Sequence, residues 1–470
     1  MLKSEQLADE INTLEQKYSK KLEVAEWLNR KLVSNQGNRE VAFLNWFGLK
    51  EGFSYDLVLK LIRLSKTPPS ATFLDPFSGA GTSIFAAANS GMKAIGIELL
   101  PIGKFLHETR LAAFSVNVET FEKEVRNVID LLKQNKKPLE KYRFGHIPIT
   151  EGAFSEETES HIAFYLEYVD QVQDDSIKQL LRFACFSILE DISYTSKDGQ
   201  YLRWDKRSGR TRAGDYKKRV ILSFPEAISN VLTNMVLTIK GRTLFWETSE
   251  SPEKLTTLIN GSALENLPQI ASNSVDLVIS SPPYCNRYDY TRTYALELAF
   301  LGINNENLKK YRQQLLSCTV ENKSKDIFLK EFYGYRSDYE FYESSKSAFF
   351  DCDTLQSILG ALKYKMEQGE LNNDGIYGMV YNYFFEHSFV IHELARVMKQ
   401  GGKIFYINDN VQYAGVPIPV DLILSEFAET FGLEVSKIYY LKRGKGNSSQ
   451  QMGTHGREEQ RKCVYFWEKK

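Results

Sequence analysis

The chain is poor in the residues that bind structural metals or cross-link small folds. Its 470 residues include five cysteines, Cys185, Cys285, Cys318, Cys352 and Cys463, scattered, odd in number and without a CxxC pair. That pattern excludes a zinc ribbon and a disulfide framework and predicts reduced thiols. The six histidines show no ligand spacing, and His387 and His392 read as ordinary residues of one helical stretch. No metal is expected. Apolar runs are short as well: stretches such as FLDPFSGAGTSIFAAA fall below the roughly 20 residues that span a bilayer and are broken by Gly and Asp, so no membrane partner is expected. The opening MLKSEQLADEINTLEQKYSKKLEVAEWLNRKL has helical spacing among many charges and lacks the apolar centre and cleavage site of a signal peptide, which predicts a cytoplasmic protein. Nor is there an excess of charge. Lys plus Arg number 59 against 60 Asp plus Glu, so affinity for a polyanion must reside in local patches.

What is present is average for a soluble fold, with 43% hydrophobic and 25% charged residues, and the length predicts two or three packed units. From Ala71 to Leu99 an apolar run (ATFLDPF), a small-residue turn (SGAGT), a helical stretch (SIFAAANSG) and a second apolar run (KAIGIEL) follow one another. This βαβ order points to an α/β fold with a parallel sheet and a ligand at the carboxyl ends of its strands. TTLING, SVDLVIS, GGKIFYIND, LEVSKIYYLK and KCVYFWEK are further strand candidates for the same sheet. The chain is expected to divide into an N-terminal helical segment (1–42), a cofactor-binding part (43–134), an inserted helical and basic region (135–254), a catalytic-loop part (255–302), a second, mixed insertion (303–375) and the remainder of the sheet (376–470). Either insertion is a candidate target-recognition region.

DPFSGAGTSIF sets Asp75 at a strand end, Gly79 and Gly81 in the turn and Thr82 at a helix start. The glycines allow backbone to approach a ligand closely, and Asp75 can accept a hydrogen bond from an ammonium group. A phosphate-binding loop would carry GxxxxGK or GxGxxG, and an acid at its entrance repels phosphate. A nucleoside with a cationic tail fits better, and S-adenosyl-L-methionine is such a molecule. Glu98, ending the next strand, stands where an acidic residue bonds ribose hydroxyls in nucleoside-binding folds.

SVDLVISSPPYCNRYDY is an apolar strand that stops at two prolines, which cannot continue a ladder. Pro283 fixes φ and removes a donor, so the carbonyl of Pro282 becomes a stiffly held acceptor. The lone pair of an exocyclic amino group is delocalised into its ring. Two acceptors on its hydrogens, the Ser281 side chain and the Pro282 carbonyl, would localise that pair toward an incoming methyl group. Tyr284 offers a flat face to a base swung out of a duplex. Either motif alone could be a plain strand-terminating turn; their combination is what points to methyl transfer.

The pairing of these two loops resembles the amino-methyltransferases of restriction–modification systems, which combine DPFxGxGT with (S/D/N)PP(Y/F). NWFGLKEGFSYDLVLKLI is similar to the family's additional cofactor motif upstream, and INGSALENLPQIASNSVDLVISSPPY to its approach to the catalytic loop, with Ser262 where the family usually has Asp. The resemblance implies a Rossmann-like S-adenosylmethionine-dependent methyltransferase sheet with helical and mixed insertions. It also implies cofactor contacts from Phe53, Ser54, Phe77, Ser262 and Ala263 beside those already named. SPPY is commoner in the family's N4-cytosine enzymes and D/NPPY in its N6-adenine enzymes, so the expected substrate is cytosine N4 in double-stranded DNA. The expected enzyme is a site-specific monomer with a separately acting restriction endonuclease as partner. The alternatives are an N6-adenine enzyme, an RNA or protein amide methyltransferase, and a non-catalytic cofactor- or DNA-binding module.

KDGQYLRWDKRSGRTRAGDYKKR, residues 197–219, interleaves aromatics with cations in a manner suited to a phosphate backbone. Arg203, Trp204, Lys206, Arg207, Arg210 and Arg212 are its candidate DNA contacts, although a solvated charged loop reads the same way. Arg287 and Arg292, just after the catalytic loop, are placed to hold phosphates flanking a flipped nucleotide. The glycine-rich basic stretch LKRGKGNSSQQMGTHGREEQRK is a further candidate.

Overall fold

A computed structural model describes residues 2–133, 140–198, 201–210, 215–442, 445–446 and 459–470. Arg212 and most of the glycine-rich basic stretch near the C-terminus lie outside them. The central sheet has eight strands: β1 (Leu22–Val24), β2 (Thr72–Asp75), β3 (Lys93–Glu98), β4 (Thr256–Asn260), β5 (Val275–Ser280), β6 (Met398–Asp409), β7 (Leu433–Tyr440) and β8 (Lys462–Lys469). Their order is β1-β7-β8-β6-β5-β2-β3-β4. All neighbours run parallel except around β8, which is antiparallel to both β7 and β6. This is the Rossmann-like α/β sheet that the sequence predicts.

Burial on both faces explains why the strands read as continuous apolar runs. Side chains alternate across the sheet, so in β5 Leu277 and Ile279 join one core while Val278 joins the other; in β6 Phe405 and Ile407 oppose Ile404 and Tyr406 in the same way. Helices α1 (Leu2–Tyr18), α2 (Tyr55–Ser65), α3 (Thr82–Asn89), α4 (Pro101–Ser115), α5 (Asp175–Ser187), α6 (Gly375–Val397) and α7 (Val420–Thr430) cover the two faces. The first core takes α2, α3, α4 and α5, and the second takes α1, α6 and α7. Chain order turns back between β2 and β5: β3 and β4 build outward on one side, β6 to β8 on the other. Such a reversal opens a crevice at the carboxyl ends of the strands, the usual seat of a ligand in sheets of this type.

Two features differ from the sequence reading. The N-terminal segment does not stand apart, because β1 pairs in parallel with β7, Leu22 opposite Ile438, and closes one edge of the sheet. A run as short as LEV carries no readable period. The second insertion is helical throughout its main body, with helices at Asn305–Gln314, Asp326–Tyr335, Tyr339–Phe350 and Asp353–Glu367. Its period is blurred because Ile327, Tyr335, Tyr339, Phe350 and Tyr364 face outward. No described helix is long and apolar enough to cross a membrane.

Candidate active site

A cleft opens at the chain reversal and is walled by both sequence motifs. Phe53, Asp75, Phe77, Gly79, Thr82, Glu98, Ser262, Ala263, Ser281 and Pro283 line it. The remaining expected residues sit behind this wall. Ser54 is buried and caps α2, its Oγ accepting the Leu57 N–H at 3.1 Å. Gly81 is the N-cap of α3 at φ 76°, and Gly79 also has positive φ (51°). Glycine adopts that region without a steric penalty, so the tight entry into α3 depends on these two positions.

The two loops are joined directly. Asp75 Oδ1 accepts from Ser280 Oγ at 2.5 Å and from the Phe77 N–H at 3.0 Å, while Oδ2 accepts from Ser83 Oγ. Adjacent serines thus diverge at the end of β5: Ser280 is buried and ties the cofactor loop, and Ser281 faces the cleft. Glu98 is held by the N–H groups of Gly79 and Leu100, each at 2.8 Å. Burial pushes the Asp75 carboxyl up to about 6 and that of Glu98 up to about 7, against the pull of those hydrogen bonds. The charged side chains on the wall are Glu51, Asp75, Glu98 and Lys50. Lys50 donates to the Lys197 carbonyl and keeps its charge; with three carboxyls against this one ammonium the wall is acidic on balance and disfavours phosphate.

Two supporting residues carry no signal in the sequence. Asn38, buried near the N-terminus, donates to the Phe53 carbonyl at 3.1 Å and accepts the Tyr55 N–H at 2.8 Å, so it fixes the wall around Phe53. Arg110 on α4 is buried and donates to the Ala80 carbonyl beneath the glycine turn; burial lowers its guanidinium to about 10. Neither had a motif to announce it.

Tyr284 departs from expectation. It is 2% exposed and absent from the cleft wall. Its hydroxyl lies 2.9 Å from Ser281 Oγ and 3.3 Å from Lys462 Nζ, whose ammonium is also 4.7 Å from the ring centroid. One side of the phenol is therefore occupied by a buried cation. Pro282 is buried behind the wall as well.

Part of the basic run is paired from within. Lys197 is buried between Glu190 and Glu297, at 3.0 and 2.5 Å. Arg207 forms two 2.8 Å bonds to Asp205. The Arg210 guanidinium covers the buried Trp204 ring at 4.0 Å and donates to the Pro148 carbonyl at 2.8 Å. Trp204 and Arg210 thus pack the hairpin Thr195–Asp198/Tyr201–Trp204 and its flank, while Arg207, paired with Asp205, is 40% exposed. Arg203, 4.1 Å from the Tyr216 ring centroid, and Lys206 remain exposed. Arg287 donates to Asn372 at 3.1 Å, and Arg292 contacts Glu321 at 3.4 Å and is 41% exposed. All five cysteines are free and buried, and no group of metal-binding side chains occurs among the described residues. His392 is stacked between Phe341 and Phe431, at 3.7 and 4.1 Å.

No family model and no solved structure matches the chain. Curated relatives do. The Type II methyltransferase M.AvaI of Nostoc sp. is 44% identical over 465 residues, covering 97% of this chain and 92% of that protein. The Type II methyltransferase M.BsoBI of Geobacillus stearothermophilus is 42% identical over 478 residues, covering 99% and 93%. M.MvaI of Kocuria varians, also a Type II methyltransferase, is 20% identical over 405 residues, covering 83% and 82%. With two relatives above 40% identity along nearly the whole chain, and with both loops of the motif pair on one cleft, the chain belongs to the Type II DNA methyltransferases of restriction–modification systems.

Proposed function

We propose that the cleft holds S-adenosyl-L-methionine and that the chain methylates N4 of cytosine in double-stranded DNA. The observation that carries this reading is the 2.5 Å bond between Ser280 and Asp75, which fastens the catalytic loop to the cofactor loop on one wall. The cleft fits a nucleoside with a cationic tail: its acidic balance suits an ammonium or sulfonium, and Phe53 and Phe77 offer apolar surface. Asp75, Glu98, Ser262 and the backbone at Gly79 would hold the polar parts. When bound, the cofactor supplies an electrophilic methyl group. Ser281, on the wall, accepts one hydrogen of the target amino group and turns its lone pair toward that methyl; the Pro282 carbonyl, behind the wall here, is the second acceptor once base entry uncovers it. Positioning and electrostatics carry the acceleration. A duplex base must leave its stack to reach the cleft, with Arg287, Arg292, Arg203 and Lys206 as phosphate contacts.

Ser281 carries the choice of cytosine. Mass spectrometry of nucleosides from duplex DNA treated with the protein should find N4-methylcytosine; N6-methyladenine alone would overturn the base assignment and keep amino methylation. The acidic wall also predicts a pH dependence. Both raised carboxyls bind more protons in the folded than in the unfolded state from about pH 4 to 7. Their contribution to stability is therefore present below about pH 4 and is lost as pH rises through about 6 and 7. A cationic ligand favours the ionised carboxylates, so cofactor affinity measured by calorimetry should rise from pH 5 to 8. Affinity that is flat or falling over that range would count against both assignments.

A further inference from the structure

Tyr284, buried behind the cleft, is tied through its hydroxyl to a lysine from a distant strand. Lys462 lies on β8, opposite Asp409 on β6 in the antiparallel ladder. Its ammonium is almost fully buried, 2.9 Å from Asp409 Oδ1 and 3.3 Å from the Tyr284 hydroxyl. A buried charge persists where it is paired and hydrogen-bonded, and Asp409 and Tyr284 meet that need here. An ammonium can only donate. The Tyr284 oxygen therefore accepts from Lys462 and also from Ser281 Oγ, 2.9 Å away; with its own proton committed to Tyr284, Ser281 has its lone pairs left for the cleft.

We propose that Lys462 is a positioning residue for methyl transfer: acting through the Tyr284 hydroxyl, it orients the Ser281 hydroxyl at the cleft so that Ser281 presents a lone pair. Asp409 anchors the lysine. Tyr284 in this arrangement is a link in a polar chain, with one side committed to a cation. The inference rests on the reading of Ser281 as the acceptor.

The test is a double-mutant cycle on the full-length protein, with the single-turnover methylation rate measured at saturating cofactor and duplex DNA, and dissociation constants and melting temperature alongside. Tyr284→Phe and Lys462→Met should each slow transfer by about tenfold to a hundredfold, the range of a hydrogen bond to a charged group. Both dissociation constants should stay within about twofold. The double variant should be no slower than the slower single, because both changes cut one chain. Lys462→Arg should recover part of the rate. Multiplying effects in the double variant, or Tyr284→Phe at the full rate, would overturn the proposal. If Lys462→Met does not fold, Tyr284→Phe alone decides, because it leaves the Lys462–Asp409 pair in place. Ser281→Ala separates the two readings. Full activity there removes the acceptor assignment itself; a dead Ser281→Ala beside unimpaired Tyr284→Phe and Lys462→Met removes only the role of Lys462.

Discussion

Ser281→Ala should lower the rate constant for methyl transfer by about a hundredfold to a thousandfold, the range seen when one preorganised polar group is removed from a reacting centre. Ser281 lies on the cleft wall and its Oγ is held by Tyr284 at 2.9 Å, so the acceptor is set before substrate arrives. Alanine removes it without adding bulk. Cofactor binding should change little, because the tie between the loops runs through Ser280. Pro283→Ala should have a smaller effect, since it restores rotational freedom and a backbone donor to the loop while leaving every acceptor in place. Stopped single turnovers separate these effects from product release. A Ser281→Ala enzyme that transfers methyl at the parental rate would remove the acceptor role.

Asp75→Asn should weaken cofactor binding by about a hundredfold, with melting temperature near that of the parent. The carboxylate is buried and accepts from Ser83, Ser280 and the Phe77 N–H. An amide of the same shape can keep these bonds, because its oxygen in the Oδ1 place still accepts from Ser280 and the Phe77 N–H while its NH₂ donates to Ser83 Oγ, whose hydroxyl can rotate to accept. What it loses is charge. Asp75→Ala differs, because it leaves two buried hydroxyls and one buried N–H without their acceptor. At about 1 to 3 kcal/mol for each unsatisfied group, and with partial relaxation, that variant should lose both affinity and several degrees of melting temperature. Calorimetric binding beside thermal unfolding distinguishes the two; equal loss of stability in both variants would mean that Asp75 serves the fold alone.

The parts legible in the sequence were those whose chemistry is local. DPFSGAGT announces itself because two positive-φ positions, Gly79 and Gly81, fall within one turn. SPPY does so because consecutive prolines end a strand. The strand candidates from TTLING to KCVYFWEK all became strands of one sheet, since a buried strand needs only a short apolar run. The pairings between distant residues were not legible. Nothing near Lys462 marks it as a neighbour of Tyr284, and nothing near Asn38 as a support for Phe53. Within the basic run the same holds for Lys197: it is balanced by Glu190 and by Glu297, a hundred positions further on, so a count along the chain records its charge and misses its partner. The buried placement of Tyr284 likewise depends on a lysine from another strand.

The place of β8 has a consequence in time. It lies between β7 and β6, both of which precede it in the chain, and Lys462 follows Tyr284 by 178 residues. At the roughly 5 to 20 residues per second of protein synthesis, the ribosome adds Lys462 roughly 10 to 35 seconds after the loop it supports. During that interval the nascent chain carries the motif without its backing. A strand that must enter between two earlier ones closes the sheet late, and contacts of such long sequence separation form slowly. The loop that performs the chemistry is therefore made early and set late, so that its working shape belongs to the closed sheet and not to the motif alone.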